Sequence, residues 1–146
     1  DKKLLIRIAD RCEETGACLV VDECFLPLSE HRYSLSSRAI KDKNLLVVKA
    51  FTKTFAIPGV RIGYVISSSE NIEKLTDYLP EWNLSIPAME AGVSCAKIMQ
   101  DTDYLERSYS MVKKERKYLE RSLKKSGIEI VPSDTCYILF KSKRSR

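Results

Sequence analysis

Within residues 45–67 stand two side chains whose types and spacing suit covalent and oxyanion chemistry. Lys53 follows an apolar run at residues 45–48, and Arg61 comes eight positions later, behind Pro58-Gly59 and ahead of Gly63. A lysine at the carboxyl end of a buried strand is partly removed from water, which favours the neutral amine able to form a Schiff base with an aldehyde. An arginine on a Pro-Gly turn presents a fixed fork of donors, the geometry that suits a phosphate. Upstream, Asp22 closes another apolar run, so a carboxylate is expected at the end of a neighbouring strand.

Aldehyde chemistry beside phosphate binding is the demand made by pyridoxal 5'-phosphate. Taken singly, Lys53 reads as a solvated loop lysine, Arg61 as half of a surface ion pair and Asp22 as a turn cap. Taken together, the pattern K-x-x-x-x-P-G-x-R-x-G over residues 53–63 and Asp22-Glu23-Cys24-Phe25 upstream resemble the two cofactor motifs of the class I and II pyridoxal-phosphate aminotransferases. Within them the chain most resembles the branch holding histidinol-phosphate aminotransferase and threonine-phosphate decarboxylase.

That resemblance implies Lys53 as the Schiff-base lysine and general base, Asp22 as the partner of the pyridine nitrogen, Arg61 as the phosphate clamp and Phe25 beside the ring. It further implies transfer of an amino group from an amino acid to a 2-oxo acid, a homodimer, and an internal fragment of a longer chain, inactive alone. Decarboxylation of phosphorylated threonine is the alternative within the same chemistry, and a non-catalytic α/β interaction module the alternative outside it. Two positions depart from the family pattern. Ala50 stands where a hydroxyl usually helps to hold the phosphate, and Phe25 where many members have a tyrosine. Each is expected to cost about 1 kcal/mol of cofactor binding.

The elements that must position these residues follow an α/β rhythm. Helical spacing of Leu4, Leu5, Ile8, Ala9 and Cys12 predicts a helix over residues 1–15, stopped by Gly16. The run at 17–21, apolar without alternation, predicts a strand covered on both faces, and 45–48 a second one. A doubly wound sheet binds ligands off the carboxyl ends of its strands, where Asp22 and Lys53 would lie. A short helix is expected near 36–40, and Ser67 and Glu70 have capping-box spacing for another that reaches Tyr78. Ser85 caps a third, rich in small residues, and Trp82 before it reads as a packing residue. From 101–103 the character changes to a long charged helix, whose apolar stripe Arg116 interrupts, and then two strands at 128–131 and 135–140. The resemblance makes residues 1–100 the end of a three-layer, mostly parallel-sheet large domain and 101–146 the start of an α+β small domain.

Composition narrows the classes. The 146 residues are 44% hydrophobic and 31% charged, enough for one core. The net charge of +5 is spread among glutamates such as Glu115 and Glu120, which argues against a nucleic-acid surface, the terminal Lys141, Lys143, Arg144 and Arg146 included. One histidine, His31, leaves no imidazole triad or metal centre, and reads as surface or capping. No stretch is long and apolar enough for a membrane span. Five cysteines, an odd number without a C-x-x-C pair, predict reduced, buried thiols and a cytoplasmic protein.

Overall fold

The structure, a computed structural model, describes residues 1–30 and 32–141; His31 and residues 142–146, with the basic Lys143, Arg144 and Arg146, lie outside the described part. Helix α1 (Lys2–Thr15) is capped by the Asp1 carboxylate, which accepts the Lys3 N–H at 2.7 Å. It ends at Gly16, whose φ of 69° is the left-handed conformation that a side chain would resist. Strand β1 (Leu19–Asp22) follows, then a 3-10 turn, the short helix α2 (Ser36–Ala39) and strand β2 (Leu45–Ala50). β1 and β2 pair in parallel, Leu19 opposite Leu45 and Asp22 opposite Val48.

Residues 51–62 stay at one end of the sheet. They hold the one-turn helix α3 (Phe51–Thr54) and a 3-10 turn at Pro58–Val60, and return the chain as strand β3 (Gly63–Ile66), antiparallel to β2. The three strands therefore form a mixed sheet in the order β1-β2-β3. Gly63 lets β3 close on β2, because a Cβ there would lie 2.7 Å from the Lys49 carbonyl oxygen.

One face of this sheet holds the core. Leu45 and Val47 pack with Leu35, Ala39 and Ala9, and Leu19, Val21 and Ile66 close around them. The other face does not match the expectation of strands covered on both sides. Val20 is 60% exposed and Val65 37% exposed, so burial alternates along β1 although its sequence does not. The two helices that reach the sheet core, α1 and α2, supply side chains to the same cluster and so cover only one face.

Helix α4 (Ser69–Thr76) starts one residue later than the capping-box spacing implied. Ser68 accepts the Asn71 N–H, whereas Ser67 turns inward and donates to the Leu45 carbonyl at 2.6 Å. Ser85 caps helix α5 (Ile86–Asp101) as expected, and α6 (Tyr104–Lys125) is the long charged helix. The break in its stripe has a cause: the Arg116 guanidinium bonds the Ser133 carbonyl and pairs with Glu120 at 2.9 Å. Strands β4 (Glu129–Val131) and β5 (Leu139–Lys141) form an antiparallel hairpin.

Trp82 packs less than expected, being 94% exposed at a φ of 59°. The thiols are unpaired, but only Cys95 is buried and Cys18 is exposed, so apolar neighbours in sequence did not mean burial. Among the described residues no helix is long and apolar enough to cross a membrane.

Candidate active site

The carboxyl ends of β1 and β2 meet at an open cleft of about 470 Å³, and Asp22, Phe25, Lys53 and Arg61 all line it. Thirty-nine positions separate Asp22 from Arg61, and the fold joins them through two adjacent strands. The cleft volume falls within the range of small-molecule sites, roughly 300–1,000 Å³.

Asp22 ends β1 with its side chain turned back on the following backbone. Its Oδ1 accepts the Cys24 N–H at 2.9 Å. Hydrogen bonds from the Cys24 side chain and backbone, helped by the nearby Lys53 charge, hold this carboxyl below the ordinary value of 3.8. Burial and the adjacent Asp22 carboxylate push the Cys24 thiol up to about 11, so it stays protonated. Asp22 is thus a fixed, ionised acceptor at the mouth of the cleft.

Lys53 sits on α3, half-buried, with Nζ 5.7 Å from the centroid of the Phe25 ring. An aromatic face so placed attracts an ammonium. The Phe25 ring also meets Tyr137 edge-on at 5.8 Å between centroids, which limits how it can turn. Arg61 has a φ of 56°, a left-handed backbone that arginine adopts at a cost of about 1–3 kcal/mol. One guanidinium nitrogen, Nη1, donates to the Pro58 carbonyl at 3.2 Å. The loop bearing Arg61 is braced by α5, where Gly92 admits the Ile62 side chain so closely that a Cβ would lie 2.5 Å from its Cδ1.

The donor set suits pyridoxal phosphate: an ionised carboxylate for a ring nitrogen, an amine for an aldehyde, and a guanidinium for a phosphate. Ala50, which begins the α3 turn, makes no capping hydrogen bond, in keeping with the missing hydroxyl. Thr52, two residues on, lines the same cleft and carries a hydroxyl of its own. Spacing alone did not mark it.

Nor was the pair behind the cleft marked in the sequence. Glu23 is 4% exposed and meets Lys49 Nζ at 3.0 Å. It also accepts from the Ser34 hydroxyl at 2.6 Å and the Leu35 N–H at 2.8 Å. The only sequence signal was a glutamate next to the motif aspartate. Removing one member of such a pair strands the other, at about 3 kcal/mol where the lysine still reaches some water. Glu23→Gln is accordingly expected to lower the urea midpoint by that equivalent; a change below about 1 kcal/mol would show that the pair does not brace the β1 end.

The family pattern described as aminotransferase class I and II matches residues 1–146, and the chain belongs to that family. It is 30% identical over 133 residues to the histidinol-phosphate aminotransferase of Methanopyrus kandleri, covering 90% of this chain and 33% of that protein. Among solved structures, histidinol-phosphate aminotransferase from Clostridium acetobutylicum superposes with a TM-score of 0.83 at 30% identity, over 96% of this chain and 42% of that one. L-threonine-O-3-phosphate decarboxylase from Porphyromonas gingivalis has the same fold, with a TM-score of 0.79 at 20% identity over 97% and 42% of the two chains. The chain thus spans about a third of the length of the curated relatives it matches. Its α/β fold is that of the pyridoxal-phosphate aminotransferases.

Proposed function

We propose that these residues form the lysine-bearing part of a pyridoxal-phosphate-dependent aminotransferase that moves an amino group from an amino acid, histidinol-phosphate-like in kind, to a 2-oxo acid. The observation that carries this is the convergence of Asp22, Phe25, Lys53 and Arg61 on one cleft. When bound, the cofactor supplies an aldehyde that captures amines and a ring that accepts the electrons released at the substrate's alpha carbon. Lys53 would hold the aldehyde end of the cofactor through Nζ and, with that amine free, would serve as the general base that takes and returns the alpha proton. The Asp22 carboxylate would accept the ring N–H and keep that proton in place. Arg61 would bind the phosphate with the donors that Pro58 does not engage, and the Phe25 face walls the cleft beside Lys53. On the same reading residues 1–100 belong to the cofactor-binding large domain and 101–146 to the small one, in a cytoplasmic homodimer.

The test is to mix the purified protein with pyridoxal phosphate, follow the visible absorption band, reduce with borohydride and map the modified peptide. Attachment at Lys53 is the expected result; absence of the band, or attachment elsewhere, would sink the reading. Arg61→Ala is expected to weaken pyridoxal phosphate binding by about 10- to 100-fold, the worth of a lost hydrogen bond between charged groups. Binding of phosphate-free pyridoxal should change little, and equal losses for both ligands would remove Arg61 from the phosphate site.

A further inference from the structure

Helix α3, which carries Lys53, is four residues long, and Ala50, just before it, provides no side-chain cap. A single turn cannot hold its own shape in water, because nucleation costs more than one hydrogen bond returns. Its orientation must come from neighbouring elements. By helical spacing Phe51 and Phe55 share one face of the turn and Lys53 takes the other.

That back face is held by a row of rings. Tyr64 of β3 lies 5.0 Å from Phe51, Phe51 lies 6.1 Å from Phe55, and Phe55 stacks on Tyr104 at 4.6 Å with only 5° between the planes. The Tyr104 hydroxyl also donates to the Thr54 carbonyl at 3.3 Å. Thr54 is the last residue of the turn, where carbonyls have no partner within the helix, so Tyr104 caps it from outside. Tyr104 is itself the first residue of α6, fifty positions from Thr54, and does not line the cleft.

We propose that Tyr104 is a positioning residue for Lys53: it stacks on Phe55 and caps Thr54, and so fixes the turn that aims the amine into the cleft. The inference rests on the reading of Lys53 as the cofactor lysine. Tyr104 lies outside the cleft lining and acts through α3, so any displacement of the start of α6 would be passed to the lysine.

Tyr104→Phe keeps the stack and loses the cap, and Tyr104→Leu loses both. Amide hydrogen exchange of the cofactor-free protein compares residues 51–55 with residues 107–125 of α6, and borohydride trapping measures how fast Lys53 captures pyridoxal phosphate. For Tyr104→Leu, exchange at 51–55 should rise about tenfold with α6 nearly unchanged, and capture should slow about tenfold or more, as expected of a misaimed reacting group. Tyr104→Phe should show about a fivefold effect, the worth of one hydrogen bond, and it carries the test should the leucine variant fail to fold. Unchanged exchange and capture would overturn the proposal, as would an equal rise along α6, which marks general loosening. Should Lys53→Ala still capture pyridoxal phosphate, the reading of the site fails, while the exchange comparison, made without cofactor, still judges Tyr104.

Discussion

Lys53→Ala is expected to abolish covalent attachment of pyridoxal phosphate and to lower any amino-transfer rate by at least about 10²- to 10⁴-fold, the range that a positioned general base supplies. On the proposed reading the alanine variant loses the nucleophile and the proton carrier together, since one amine is assigned both tasks. Non-covalent binding should survive in part, because Asp22 and Arg61, assigned to the other ends of the ligand, remain in the cleft. Stability should change little, as Lys53 is half-buried at the cleft. The decisive measurement is the mass of the protein after borohydride reduction. A lysine variant that still gains the reduced cofactor would place the chemistry on another amine, and Lys49, paired with Glu23 at 3.0 Å, would be the next to examine.

For Asp22→Asn the expected loss is smaller and of a different kind. An opposite charge at hydrogen-bond distance favours a proton on its partner by a factor of about 10 to 1,000, and asparagine removes it while keeping size and shape. Attachment at Lys53 should persist while amino transfer falls by that factor, separating Asp22 from Lys53 in role. The pH dependence has a definite sign. The Cys24 hydrogen bonds and the Lys53 charge depress the Asp22 carboxyl in the folded protein, so its charged form and the stabilisation it brings are present above the ordinary value of 3.8. They are lost only as pH falls through the lower folded value. Titrating the visible band should therefore show the ring environment constant from neutral pH down into the carboxylate range. A transition near neutral pH that Asp22→Asn abolishes would contradict this assignment.

Much of the site was legible because its residues are tied to short-range features. The end of an apolar run marks a strand end, and a Pro-Gly turn forces the chain to reverse before Arg61. Both are local consequences of backbone sterics, and the structure shows β1 ending at Asp22, one residue past its apolar run, while β2 continues past Val48 through Lys49 to Ala50. The caps at Asp1 and Ser85 belong to the same class, each needing only a carboxylate or hydroxyl within three residues of a free N–H. Ser67 and Ser68 show the limit of such spacing: two adjacent hydroxyls satisfy it, and the choice between them fell to the buried Leu45 carbonyl on another strand.

What sequence alone determined was the α/β rhythm and the family, and it singled out Asp22, Phe25, Lys53 and Arg61 as candidates, because these depend on residue type and on spacings within a few turns or strands. What only the tertiary structure decided was how those groups are held. The same apolar composition in β1 could be covered on one face or two, and Trp82 could be buried or exposed, since both outcomes turn on which elements pack across the chain. Glu23 and Lys49 form a pair across adjacent strands, and Tyr104 reaches Thr54 over fifty intervening positions. Contacts of that range leave no periodicity in the sequence, and they exist only once the chain has closed. Lys53 could therefore be singled out by its motif, and the rings behind its turn became visible only in the closed fold.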